Sequence, residues 1–279
     1  MTDESTSPFD RPDEPQGYVL TSSLGYNWDV STGKWVKASA NWGIDVSSGN
    51  VSGVTYVSKF GRNADIDAGT EDIWNVGGTW VAPTAARKHS IQGGAADVLT
   101  SGTGAWTVQV TGLDATYAEV SETVDMAGAG GTNTNLSYLI IYRMIVLTAG
   151  TGGTNSGALL AVAADDGTTT CGVAAAMGQS QMAIYQVPAG YTAYMSGFSG
   201  SFNGGAASNV LLNLFAKPLG GVFNLKSSLS LNTAGSSAGV RDFKIPLSFA
   251  AKTIIKVTGT SDAPNSDTMA EFDLILVAD

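Results

Sequence analysis

The chain has 279 residues, a net charge of −10 and only 14 lysines and arginines. Charged residues make up 14% of it, against roughly 25% in an average soluble protein. This length can bury a core without disulfides or metals, and the shortage of basic residues argues against a nucleic-acid-binding protein. The single cysteine, Cys171, rules out an internal disulfide and is predicted to be a small buried side chain.

Residues 1–16 contain five acidic residues, one arginine and three prolines, and they offer almost nothing apolar to bury. We predict an extended polar arm without stable structure of its own. An acidic start of this kind is unlike a signal peptide. The longest apolar run, 139–147, is interrupted by Arg143 and is far shorter than the ~18 residues of a membrane span. We therefore predict neither export by a signal nor a membrane partner.

Residues 17–53 read as a β-hairpin region. Two strand-like runs flank the Gly-containing turn at 31–33, an arrangement typical of a hairpin, and Trp28 and Trp35 could pair across it. Residues 54–136 read as a small antiparallel β domain. Around 107–111, Thr and Gln alternate with Val108 and Val110, the period of a half-buried strand.

Residues 137–279 contain many strand-like runs separated by turn signals, which favours a β-sandwich, with a jelly roll as the expected form. Helical periodicity is nearly absent, so the fold class is all-β. Only three charged residues occur from 127 to 216. We interpret that stretch as a surface for permanent subunit contacts, the alternative being a domain kept soluble by Ser, Thr and Asn.

Catalytic patterns are scarce. The only histidine is His89, no GxSxG motif presents a serine, and neither CxxC nor HExxH is present for zinc. The Gly-rich stretches 128–135 and 150–157 lack the Gly-Lys-Ser/Thr ending of a phosphate loop, so turn or bulge glycines are expected there. We predict no catalytic residue, no cofactor and no enzymatic activity.

One acidic cluster has a spacing that suggests a metal. Asp65 and Asp67 alternate before Gly69, and Glu71 and Asp72 follow, with Asn63 nearby. Such a turn could hold Ca²⁺, but it lacks a third alternating ligand and the distal bidentate Glu of an EF-hand. A loop whose carboxylates accept hydrogen bonds from backbone N–H groups is the expected alternative.

Several segments resemble a pattern that recurs in structural proteins of tailed bacteriophages and marine viruses. They are GRNADIDAGTEDIW at 61–74, the Gly-rich aromatic stretch at 77–80, VTGLDATYAEVSETVDMAG at 110–128 and LTAGTGGTNSG at 147–157. The resemblance implies a virion protein, most specifically a capsid decoration, cement or head-fibre subunit. No catalytic residue comes with the resemblance. The acidic, Pro-containing arm at 1–16 and the charge-poor stretch 127–216 lead us to expect two partners, the major capsid protein and copies of the chain itself, the latter as a homotrimer.

Two other functions stay open. A tail adaptor or receptor-binding fibre could stack exposed Tyr191, Tyr194 or Trp80 on host surface glycans. A polysaccharide-degrading enzyme on a β scaffold would need carboxylates such as Asp65 and Asp67 at a set distance.

Overall fold

The computed structural model describes residues 26–29, 34–37, 42–204 and 208–279, so the predicted arm at 1–16 lies outside the described residues. The chain divides into two compact units, 1–52 and 53–279. In the first, β1 (Tyr26–Asp29) and β2 (Lys34–Lys37) pair antiparallel with Trp28 opposite Trp35 in register, which confirms the predicted hairpin. The short helix α1 (Trp42–Ser47) follows. No helix among the described residues is long and apolar enough to cross a membrane.

The second unit is built of antiparallel strands, which confirms the all-β prediction. Its strands are β3 (Val54–Ile66), β4 (Glu71–Asp72), β5 (His89–Gln92), β6 (Ala105–Leu113), β7 (Glu119–Asp125), β8 (Thr132–Asn133), β9 (Ile140–Ala149), β10 (Leu159–Ala163), β11 (Thr169–Val173), β12 (Ile184–Gln186), β13 (Tyr191–Asn203), β14 (Asn209–Lys217), β15 (Asn224–Asn232), β16 (Ala238–Phe249), β17 (Ile254–Ser261) and β18 (Ser266–Ala278).

Two sheets, one of four strands and one of five, contain the C-terminal strands. Sheet I has the order β16-β13-β18-β3, and sheet II has the order β12-β17-β14-β15 with the short β4 added on β17. Strand β18 illustrates why these segments are strands: Ala270, Phe272 and Leu274 are buried and alternate with exposed Glu271 and Asp273. That period-2 pattern buries one face of a sheet.

The inner faces of sheets I and II approach each other closely. A Cβ at Gly200 on β13 would lie 2.2 Å from Leu212 Cδ1 on β14, so only glycine leaves room for this leucine. Met195 and Phe272 of sheet I and Leu212 and Leu214 of sheet II are buried members of one hydrophobic cluster. The two sheets therefore share one hydrophobic core, which supplies most of the stabilisation.

Two smaller sheets lie between β4 and β12 in the chain. Sheet III has the order β11-β10-β5-β8, and sheet IV has the order β7-β6-β9. The antiparallel β6–β7 hairpin of sheet IV lies within the segment 54–136, which is predicted to form a small antiparallel β domain.

The domain boundaries differ from those expected at 54–136 and 137–279. Strand β3 pairs along most of its length with β18, so 54–66 belongs with the C-terminal strands, while β9, β10 and β11 of the expected sandwich lie in sheets III and IV. The local alternation that revealed these strands carries no information about pairing across more than 200 residues.

The charge-poor stretch 127–216, which is predicted to be a surface for subunit contacts, supplies much of the core. It contributes strands β8 to β14, and many of its side chains, such as Ile140, Met144, Val173 and Tyr185, are fully buried. Charged residues are rare at such buried positions, because a charged side chain is costly to remove from water.

Candidate functional site

The segment 61–80, which carries the strongest sequence pattern, joins sheet I to sheet II. Gly61 on β3 is the tightest point: a Cβ there would lie 2.2 Å from the carbonyl oxygen of Ile73 and 2.4 Å from the backbone nitrogen of Ala183. Ile73 N in turn donates to Val257 O on β17. The first glycine of the pattern is therefore required because two backbones meet at this point.

The polar residues of the segment hydrogen-bond to its own backbone. Asn63 Nδ2 donates to Glu71 Oε2 at 3.0 Å and to Asp72 O at 3.2 Å. The same Glu71 oxygen accepts from Gly78 N at 2.9 Å, and Trp74 Nε1 donates to Gly78 O. These bonds close the loop between β4 and the Gly-rich stretch, so Asn63, Glu71 and Trp74 have structural roles.

Asp72 is the buried centre of this junction. Its Oδ2 accepts from Trp80 N at 2.7 Å and from Lys256 Nζ at 3.0 Å, and Nζ lies 2.8 Å from Oδ1. Burial raises the pKa of Asp72, while Lys256 and the Trp80 N–H act in the opposite direction. Lys256 Nζ also lies 4.8 Å from the centre of the Phe223 ring. An ion pair of this kind is held in one geometry by its partners.

The four carboxylates of the calcium candidate do not converge. Asp72 is paired with Lys256, Glu71 binds Asn63 and Gly78 N, and Asp67 Oδ1 accepts from Asn265 N at 3.0 Å. The backbone N–H of Asp65 donates a hydrogen bond to Asn63 Oδ1. Within the described ranges no group of three or more His, Cys, Asp or Glu side chains is placed to hold a metal. The arrangement is that of carboxylates that bind backbone N–H groups and a lysine.

A second buried carboxylate organises the Gly-rich stretch 150–157. Asp97 Oδ1 accepts from Ala105 N and Ser156 N, both at 2.7 Å, and Oδ2 accepts from Gly94 N at 2.8 Å and Gly157 N at 3.0 Å. Burial alone would raise the pKa of Asp97, but the four N–H donors together lower it. These N–H groups bind an internal carboxylate, so this stretch is a structural turn, as predicted.

Asn155 completes the same turn. Its Nδ2 donates to Gly157 O at 2.7 Å and to Ala174 O at 2.8 Å, and its Oδ1 accepts from Gly178 N at 2.9 Å. The sequence analysis did not single out Asp97 or Asn155. The available sequence signal for these two residues was an Asp or Asn close to glycines in a loop. That pattern is too common to identify a particular turn.

Lys59 is a buried amine where β3 meets β9 and β11. Its Nζ donates to Tyr142 O at 2.6 Å and lies 5.3 Å from the centre of the Tyr142 ring. Burial lowers the pKa of Lys59 to about 7. The neighbouring Cys171 raises this pKa and Arg143 lowers it, and both effects are smaller than that of burial. Lys59 shares the inward parity of Gly61 and Asn63 on β3, which was the available sequence signal for its burial.

The remaining candidate residues are placed as follows. Cys171 is a buried free thiol, as predicted, and burial raises its pKa to about 11. His89 is buried, with Nδ1 3.0 Å from Arg87 O, and burial lowers its pKa. Trp80 is buried and its Nε1 donates to Thr170 O, so it is not available for stacking on a glycan. Tyr194 is 38% exposed, and Tyr191 is half-buried against the core.

Comparisons with known proteins give little. No protein-family model matches the chain, and no curated protein matches it. Among solved structures, the chain is similar to that of T=1 particles derived from infectious bursal virus, with 10% identity, a TM-score of 0.22 and coverage of 81% of this chain and 70% of the other. The VP2 subviral particle of infectious bursal disease virus is similar at 9% identity and a TM-score of 0.22, covering 80% and 72%. Likenesses this low carry nothing over to this chain.

Proposed function

We propose that this chain is a non-enzymatic structural subunit of a virus particle, built around a jelly roll. The observation that carries the proposal is the pairing order of eight strands in sheets I and II. In chain order these strands are β3, β12, β13, β14, β15, β16, β17 and β18. The first pairs with the eighth, the second with the seventh, the third with the sixth and the fourth with the fifth.

This nested pairing is what results when one long antiparallel hairpin is rolled up. Rolling adds two further pairings, eighth with third and seventh with fourth, and both are present as β18–β13 and β17–β14. Jelly rolls of this kind are used by viral capsid domains, lectins and cupins, so the topology fits a virion subunit without being specific for one. Sheets III and IV then form an insertion between the first and second strands of the roll.

The roles of the patterned residues support a structural function. Gly61, Asn63, Glu71 and Asp72 join the first strand of the roll to β4 and β17, and Asp97 and Asn155 hold a turn in the insertion. Side chains that would serve an active site are here bonded to backbone groups or to each other. The most strongly patterned residues thus act in the junction between the roll and its insertion.

The resemblance of 61–74, 110–128 and 147–157 to tailed-phage proteins supports a more specific proposal. The chain would decorate or cement a phage head, or form a head fibre, as a homotrimer that contacts the major capsid protein after synthesis in the host cytoplasm. The alternative of a tail adaptor or receptor-binding fibre loses one of its three aromatic residues, because Trp80 is buried.

Quantitative mass spectrometry of purified particles tests the proposal. A head decoration protein is expected in hundreds of copies per particle, whereas a tail component is expected in a few to a few dozen. Absence of the chain from purified particles would overturn the virion assignment. Release of reducing sugar from host polysaccharide by the pure protein would overturn the non-enzymatic assignment.

A further inference from the structure

The end of the jelly roll formed by β15, β16 and the loop before β15 contributes little to the core. Of residues 218–249, only Leu231 and Phe249 are buried. Protein–protein interfaces of standard size use roughly 20–30 residues a side. This segment, called the β15–β16 end below, is therefore large enough to form such an interface.

The β15–β16 end carries the most exposed apolar side chains among the described residues. Ile245 is 83% exposed and Val222 is 70% exposed, and Leu219 and Leu225 are more than half exposed. Leu225 lies on β15 and Ile245 lies on β16, the two strands that are joined by the turn around residue 235. Exposed apolar groups gathered in this way mark an interaction surface.

The β15–β16 end is also basic, although the protein carries a net charge of −10. Lys226, Arg241 and Lys244 outnumber the one acidic residue, Asp242. None of these four residues has a salt-bridge partner within the part of the chain that the structure describes. A partner for this surface should be acidic, since opposite charges steer association and fix its register.

An acidic surface of this kind is present on the insertion. From 105 to 142 the chain has four acidic residues and no basic one, and these four also lack a salt bridge in the described ranges. Strand β7 is the free edge of sheet IV, and Glu119, Ser121, Thr123 and Asp125 are exposed along it. The β6–β7 hairpin and the β15–β16 end are thus two surfaces of opposite charge on one chain, and the charged residues named on them form no salt bridge in the described ranges.

We propose that the β15–β16 end of one copy docks on the acidic β6–β7 hairpin of a second copy. The inference rests on the proposed function, because it supplies the contact between copies that a multi-copy subunit needs. The two surfaces are different, so the contact is head-to-tail and repeats into a closed ring if the rotation allows. A homotrimer, the oligomer proposed above, is one such ring.

Side-chain packing, rather than strand addition, should form this contact. The register between β13 and β16 is broken opposite Met195 and Gly197, so residues 243–246 of β16 have no partner in β13. This bulge contains Lys244 and Pro246, and bulges, lysine and proline on an edge strand all hinder the pairing of another strand. The same bulge exposes Ile245, which we place at the centre of the contact.

Two double variants of the full chain test the head-to-tail contact. The end variant carries Leu225→Asp and Ile245→Asp, and the hairpin variant carries Ser121→Lys and Asp125→Lys. In sedimentation velocity at low salt, the unaltered protein is expected to be oligomeric, and each variant alone should be monomeric. A mixture of the two should give a one-to-one heterodimer, because one intact end and one intact hairpin remain.

A matched control is Val81→Asp, since Val81 is 60% exposed and lies on neither surface. This variant should keep the oligomer. Circular dichroism melting establishes that each variant is folded, and Lys226→Glu with Lys244→Glu replaces the end variant if that variant does not fold. Raising the salt should weaken the oligomer, since the charges lie at the surface.

A monomeric unaltered protein, an end variant that still self-associates, or a mixture that stays monomeric would each overturn the proposed contact. These results are distinct from those that test the function. If the protein is a monomer in solution but is present in hundreds of copies on heads, the proposed contact is wrong and the proposed function stands. If it is an oligomer but is absent from particles, the proposed function is wrong and the contact stands.

Discussion

Lys256 and Asp72 are 184 residues apart in the sequence, yet Nζ of the lysine lies 2.8 Å from Oδ1 of the aspartate. Lys256 belongs to β17 of sheet II, and Asp72 belongs to β4, which pairs with β17. The ion pair therefore fixes β4 to sheet II at a buried point. Trp80 N binds the same carboxylate, so the loop after β4 depends on it as well.

Replacing Lys256 with Met should destabilise the protein by roughly 3–5 kcal/mol, because Asp72 would keep a buried charge without its partner. Asp72→Asn should also destabilise, through the loss of the ion pair. The double variant should cost less than the sum of the two single costs, since neither charge is then left unpaired. Urea unfolding of the four proteins measures the coupling. Additive costs would show that the pair contributes no net interaction.

Gly61→Ala should be among the most damaging single-methyl changes in the chain. The new Cβ would lie 2.2 Å from Ile73 O and 2.4 Å from Ala183 N, so backbone rather than a flexible side chain would have to move. Overpacking of this kind costs about 1–3 kcal/mol and sometimes more. Gly69→Ala is the matched control, because a Cβ there has nothing within 4 Å. Equal melting temperatures for the two variants would contradict the close approach at Gly61.

The strands could be predicted from the sequence better than their partners could. Alternation around Val108 and the strand-like runs of 137–279 predicted strands, because burial on one face has a local period. The pairing of β3 with β18 could not be found in that way. It joins residues about 200 positions apart, and the local alternation of buried and exposed residues contains no information about which strands pair.

The acidic cluster at 63–72 shows the same limit for the candidate site. Asp67, Glu71 and Asp72 are close together in the chain, but the groups they bind include Asn265, Gly78 and Lys256 respectively. Two of these partners come from strands or loops near the C-terminus. The spacing of carboxylates along a chain therefore suggested a metal site, whereas tertiary contacts assign them to hydrogen bonds and an ion pair.

The Asp97→Asn variant should be less stable than the unaltered protein, and its stability should depend less on pH in the acid range. The carboxylate accepts four backbone N–H groups, and an amide has only one oxygen to offer them, so a loss of about 2–4 kcal/mol is expected at neutral pH. The folded pKa is lowered. Stability from this group is therefore present in full above the unfolded pKa, about 3.9, and is lost as the pH falls through the folded value. Melting temperatures between pH 2 and about 5 measure this, and an unchanged slope in Asp97→Asn would contradict it.

The Lys59→Met variant should be more stable than the unaltered protein at pH 6. Its stability should also lack the rise with alkaline pH that is expected of the unaltered protein. The folded pKa of Lys59 is about 7, whereas the unfolded value is about 10.4. Between these values the unfolded chain binds more protons, so stability should rise with pH by up to about 1.4 kcal/mol per unit and then level off. Lys59→Arg should be the most destabilised of the three proteins, since a guanidinium cannot lose its charge in the buried site. Urea unfolding from pH 6 to about pH 10 compares them, and parallel profiles for the unaltered protein and Lys59→Met would show that the amine stays charged when folded.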